Sequence, residues 1–315
     1  MDDRLNVTYL TLDGFVELHK FRYVYFLIMF TVYVLIIVCN STIVCLIWIH
    51  KSLHEPMYVF IAALLINSLL YSTNIYPKLL TDSLSAEATV TYKLCLFQSF
   101  VCYSLASSEF LLLAAMAYDR YVSICKPLEY PSIMRRPTVL LLLAVCWLLP
   151  VCELAVSAVL YANMKPCSFT LKGIFCNNSI YTVQCVRSLT LAVYGIFMLV
   201  NMSLFPFLFI LFTYSRILLI SYNSSSSRTV RTKATHTCLP HLLVLINYSC
   251  FLTYDIIIVR LDLDFTKVIR FIMTLQMILY HPLFNPIIYG LKMKEISKHL
   301  KRLMSGVKDF LSMAG

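Results

Sequence analysis

Leu94–Tyr130 reads LCLFQSFVCYSLASSEFLLLAAMAYDRYVSICKPLEY. Its first part, Leu94 to Ala117, is a long, mainly apolar run, sufficient to cross a bilayer. Charge begins where the run stops, with Asp119 and Arg120, then Lys126 and Glu129. An acid beside an arginine at a membrane boundary is costly to hold half desolvated and points to function; a plain end to the span is the other reading.

Working outward, the composition agrees with a membrane solvent. The 315 residues are 60% hydrophobic and 13% charged, with mean hydropathy +0.78, against about 25% charged in soluble domains. Seven runs are near the ~20 residues a spanning helix needs. They are Tyr23–Ile49, Met57–Leu80, Leu94–Val122, Val139–Tyr161, Leu191–Ser221, Leu239–Val259 and Val268–Leu291. A transmembrane barrel is excluded, because its strands alternate over about ten residues. The expected fold is an all-α, seven-helix membrane bundle. Residues 1–22 form an outer N-terminus, 23–291 the bundle, and 292–315 an inner tail. No internal repeat is visible, which disfavours a transporter of duplicated halves.

Charge sets the orientation. With the N-terminus outside, the inner segments hold 15 of the 26 basic residues and five of the 16 acids. The whole net charge of +10 then lies on the inner face, as the positive-inside rule requires. The flanking of spans by these residues suits anionic lipid rather than nucleic acid. The N-terminus lacks the basic start and apolar core of a cleaved signal. Asn6-Val7-Thr8 is then an outer glycosylation sequon; Asn177-Asn178-Ser179 is a weaker one.

Four cysteines face the oxidising side: Cys95 at the start of the third span, and Cys167, Cys176 and Cys185 in the long outer loop. Four cysteines allow three pairings. Cys95 with Cys176 would pin the loop over the outer mouth and leave Cys167 and Cys185 to close on each other. A zinc site competes, but the spacings do not suit one and no histidine lies nearby. On the inner face, His54-Glu55 is no metalloprotease start, since Tyr58 stands where a second histidine is needed. No nucleophile and base are paired at depth, so an enzyme is not expected. Pro286 removes a donor from the seventh span, and Asn285 is placed to satisfy freed groups.

LHEPMY (53–58), MAYDRYVSICKPLEY (116–130), KATHTC (233–238) and NPIIYGLK (285–292) occur in that order on these spans. Together they resemble the rhodopsin-like G-protein-coupled receptors, and within them the odorant receptors. Asn40 and the three-cysteine outer loop fit as well. Ile66-Asn67 and Asn247-Tyr248-Ser249 look like the fish-type branch.

The resemblance implies a switch and a pocket. Arg120 would be held by Asp119 at rest and released toward a G protein on activation, with Tyr121 beside it. Tyr214, Asn285, Pro286 and Tyr289 would rearrange with it, raising cyclic AMP through a stimulatory, olfactory-type G protein. The ligand would lie against Cys102, Tyr103, Ala106, Ser107, Met198, Met202, Tyr248, Phe251, Leu252, Asp255, Leu275 and Ile278. Glu109, midway along the third span, would hold a sodium ion with Asn67 and Ser68, or would be protonated and bonded to one of them. The acid that anchors amines on the third span of some relatives is absent, with Cys102 in its place, which disfavours an amine-binding mode, although Asp255 could replace it; Glu153 is comparable but less placed. Ser224–Ser227 would be a polar linker or a kinase target. The tail, with Ile296, Leu300, Leu303, Val307, Phe310 and Leu311 on one side, reads as an amphipathic helix on the inner leaflet. The alternatives are a non-olfactory receptor of the same superfamily and, from another class, a ligand-gated channel or transporter.

Overall fold

The computed structural model describes residues 8–162, 164, 166–181, 183–185, 189–223, 242, 244–246, 249 and 266–314. The helices are α1 (Leu18–Ile49), α2 (Pro56–Leu84), α3 (Tyr92–Cys125), the short α4 (Tyr130–Ile133) and α5 (Arg136–Ala162). A fifth span follows as α6 (Leu189–Leu199), a π-turn (Val200–Leu204) and α7 (Phe205–Asn223). The last two are α8 (Lys267–Lys292) and α9 (Lys294–Ala314). Among the described residues, five helices are long and apolar enough to cross a membrane, and α8 makes a sixth span bent by 41° between Tyr280 and Pro282. The sixth apolar run, Leu239–Val259, lies mostly outside the described residues. Most of the observed helices outrun the apolar stretches by a few residues, because backbone hydrogen bonding continues past the hydrocarbon edge.

α3 is the central element, packing on α2, α5 and α7. Its buried side chains run from Tyr92 at the outer end to Val122 at the inner end. α1, α5 and α6 instead expose Leu, Ile, Val and Phe, as helices facing lipid must.

The bend in α8 is explained residue by residue. Pro286 lacks an N–H, so the carbonyl of Pro282 four residues back loses its helical partner. Asn40 of α1 supplies one, its Nδ2 donating to Pro282 O at 2.8 Å. Pro282 likewise frees the carbonyl of Ile278, and the Tyr76 hydroxyl of α2 donates to it at 3.3 Å. The freed carbonyls are thus satisfied by neighbouring helices, and Asn285, expected to do this, is engaged elsewhere.

Over the outer mouth lies a small sheet that the apolar pattern does not reveal. β1 (Tyr9–Leu12) pairs antiparallel with β2 (Thr89–Thr91) and parallel with β3 (Thr170–Leu171), in the order β2-β1-β3. Side chains alternate along β1, so Leu10 and Leu12 point into the core while Tyr9 and Thr11 face out. Phe15 continues the inward set and meets the rings of Tyr25 and Phe271. Gly14 is required by close approach: a Cβ there would lie 2.3 Å from the backbone carbon of Gly173.

Candidate functional site

At the inner end of α3, Asp119 is fully buried and Arg120 has a side chain 15% exposed. Arg120 donates from Nε (2.9 Å) and Nη2 (2.5 Å) to the same oxygen, Oδ2 of Asp119. Neighbours on a helix do not face each other, so the guanidinium curls back and reaches only one oxygen. The other, Oδ1, accepts a hydrogen bond from the Tyr130 hydroxyl at 2.9 Å. Burial, the charge of Asp119 and this hydrogen bond raise the pKa of Tyr130, keeping its phenol protonated as the donor. Tyr130 sits on α4, in the loop after α3. Its role was not read from the sequence, because nothing in the motif shows that the chain turns back there. Tyr121 is partly buried beside the pair, while Tyr214 and Tyr289 are buried in the core.

Midway along α3, the buried Glu109 carboxylate accepts from Asn285 Nδ2 at 2.9 Å. The same Nδ2 lies 3.3 Å from Ser68 Oγ. Pro286, the next residue, lies inside the same helix, one turn beyond the bend. Asn67 does not join this cluster as expected. Its Nδ2 donates to Leu105 O (2.9 Å), and its Oδ1 accepts from Trp147 Nε1 (3.3 Å). Adjacent helical positions differ by about 100° in direction, and Asn67 takes the side toward α3 and α5. Asn285 therefore replaces it, its Oδ1 being buried without a hydrogen-bond partner.

The outer end of α3 is tied to the long loop. Disulfides join Cys95 to Cys176 and Cys167 to Cys185, with Cα separations of 5.3 and 4.8 Å. The Cys176 N–H donates to Gln98 Oε1 (3.2 Å), and the Asn178 N–H donates to the Tyr103 hydroxyl (2.7 Å). Below this lid, Cys102, Tyr103 and Ala106 are buried on one face of α3, with Ser107 partly buried. Met198 and Met202 are buried on the fifth span, and Ile278 on α8, with Leu275 partly buried there. Tyr248, Phe251, Leu252 and Asp255 lie outside the described residues, as do Asn6, the 233–238 motif and Ser224–Ser227.

The family description "Olfactory receptor" matches residues 29–306. This chain belongs to the olfactory receptor family. The human protein "Olfactory receptor 11A1" is 31% identical over 304 residues, covering 95% of this chain and 94% of the relative. The mouse protein "Olfactory receptor 4B13" is 31% identical over 307 residues, covering 96% and 97%. The human protein "Olfactory receptor 4B1" is 32% identical over 305 residues, covering 95% and 96%. The receptor is thus an odorant-type, seven-helix, multi-pass membrane protein and not an enzyme. Neither kind of match bears on the fish-type branch.

Proposed function

We propose that this receptor sits in the plasma membrane with its N-terminus outside, binds a small odorant beneath the outer lid, and activates a stimulatory G protein to raise cyclic AMP. The observation that carries the reading is the shared hold on Asp119. Arg120 is kept at one oxygen and Tyr130 at the other, so the arginine is retained by a one-sided bond that a G protein can outcompete. The inner net charge of +10 supports the orientation, and Asn6 is then available for glycosylation. Cys102, Tyr103, Ala106, Met198, Met202 and Ile278, all buried, would border a mostly apolar chamber, as small-molecule sites are. Glu109, Ser68 and, with its carboxamide turned over, Asn285 Oδ1 are an oxygen set of the kind hard cations prefer; they would hold a sodium ion, which supplies charge neutralisation at Glu109.

Arg120→Ala tests the reading. Surface labelling is expected to match wild type while odorant-evoked cyclic AMP disappears. A full cyclic-AMP response from Arg120→Ala refutes it.

A further inference from the structure

The long outer loop is fixed at two points. Cys176 is tied to α3 by its disulfide to Cys95 and by its N–H on Gln98 Oε1 at 3.2 Å. Cys185 is tied by its disulfide to Cys167, and Gln184 beside it donates from Nε2 to the Tyr92 hydroxyl at 2.7 Å. Between these tethers, residues 177–181 make a compact turn. Asn177 Oδ1 accepts from the N–H (3.2 Å) and the hydroxyl (2.6 Å) of Ser179, and the Ile180 N–H donates to the Asn177 carbonyl at 3.1 Å. A turn bonded within itself keeps its shape when it moves. Ile180 is its fully buried side chain, and the Tyr181 ring lies 4.4 Å from that of Tyr161. The Asn178 N–H ties the turn down to α3, donating to the Tyr103 hydroxyl at 2.7 Å.

Tyr103 therefore meets two parts of the molecule. Its buried ring stands beside the fully buried Cys102 on the α3 face under the lid, while its hydroxyl reaches up to the lid backbone. The two kinds of attachment differ in strength. A neutral hydrogen bond shifts an equilibrium by about tenfold at most, whereas a disulfide opens only by a covalent reaction. Local opening therefore takes residues 177–181 and leaves both tethers in place. We propose that residues 177–181 form a flap in the lid, that Tyr103 is its catch, and that small molecules enter from the outer aqueous side when the Asn178–Tyr103 bond opens with both disulfides closed. This rests on the reading of the chain as a small-molecule receptor and deepens it by naming the way into the chamber and the residue that controls it.

The test uses the full-length receptor in lipid nanodiscs, without odorant or G protein. Cys102 is the reporter, a fully buried thiol outside any disulfide. Its labelling is followed by mass spectrometry during brief exposure to a charged, water-soluble methanethiosulfonate or to neutral, membrane-permeant N-ethylmaleimide. Cys146, buried on α5, reports general loosening. Tyr103→Phe removes the catch and is expected to speed labelling of Cys102 by the charged reagent about two- to twelvefold, with Cys146 unchanged. Ile180→Ala thins the flap without touching α3 and is expected to give tenfold or more. Three results overturn the proposal: wild-type labelling rates in both variants, labelling of Cys102 by N-ethylmaleimide alone, which places entry between the spans from the lipid, or equal acceleration at Cys146. The same variants in cells separate the two readings. Faster Cys102 labelling with no cyclic-AMP response in any form of the receptor supports the flap and refutes only the coupling.

Discussion

Asp119→Asn is the perturbation whose outcome the geometry fixes most tightly. Asp119 serves two donors with two oxygens: Oδ2 takes both nitrogens of Arg120 and Oδ1 takes the Tyr130 hydroxyl. Asparagine has the same shape but one oxygen, so it satisfies one donor and presents an N–H to the other. If the oxygen stays with Tyr130, Arg120 loses its ion pair outright. Hydrogen bonds to charged groups contribute about 1.5–3 kcal/mol. Because the pairing is between adjacent residues and one-sided, the lower half of that range applies, about 1.5–2 kcal/mol. At 1.4 kcal/mol per factor of ten, the equilibrium between held and released arginine shifts by roughly ten- to thirtyfold. With an active minority of about 1% at rest, the basal active fraction rises to about 10–20%. The assay is basal cyclic AMP without odorant, divided by surface-labelled receptor. Tyr130→Phe added to Asp119→Asn removes the competitor for the single oxygen, so the double variant is expected to fall back toward wild type, a coupling that a double-mutant cycle isolates. Basal signal at the wild-type level in Asp119→Asn, or a strictly additive rise in the double variant, refutes the shared-carboxylate argument.

Three further outcomes follow from the same coordinates. Asn40→Leu strips the donor from the carbonyl of Pro282 and leaves a buried acceptor unsatisfied, at about 1–3 kcal/mol; the unfolding midpoint of purified receptor should drop by several degrees, and an unchanged midpoint counts against the role given to Asn40. Gly14→Ala forces a Cβ into the Gly173 backbone and should cost about 1–3 kcal/mol, seen as faster hydrogen exchange at Leu10–Leu12 with little change in α3. The His299 imidazole on α9 stacks on that of His50 at 3.8 Å, and desolvation together with the positive fields of His50, Arg302 and Lys298 lowers its pKa below the usual 6.5, against the opposing pull of Glu295. A base whose folded pKa is depressed is favoured neutral, so this contact is fully stabilising above about pH 6.5 and weakens as pH falls through and below that value. Protection at the start of α9, taken as exchange relative to its intrinsic rate at each pH, should therefore fall on acidification from about pH 8 to pH 5, and His299→Phe should flatten the response.

The bundle was legible in the sequence because the bilayer imposes one rule on every span: about twenty apolar residues with charge at the ends. Asp119, Arg120, Asn285 and Pro286 stood out in the sequence because they are polar or helix-breaking where apolar residues would suffice. What escaped depends on which elements meet. Asn67 and Ser68 are neighbours in sequence, yet only Ser68 turns toward Asn285; no periodicity separates them without knowing where α5 places Trp147. Tyr130 looked like the end of a motif until α4 carried it back under α3. The strand at Tyr9–Leu12 is four residues long, too short for its alternation to stand out from a polar terminus. Asn40 and Tyr76 serve carbonyls on a helix more than 200 residues away, a relation that only the fold reveals.

The cap sheet has a consequence for how the receptor is made. Its middle strand is emitted first, yet it is hydrogen-bonded to β2 and β3, encoded respectively after the second and the fourth spans. While the early helices are being inserted, the partners that pair with β1 and cover Leu10 and Leu12 are still to be made. The pairing of β1 with β3 requires the long loop to have been delivered. The cap is therefore expected to close late, with an exposed Tyr9–Leu12 marking a receptor still under assembly. Agents that slow delivery or oxidation of the loop should lengthen the life of that species and its retention before export, even where every membrane helix is correctly inserted.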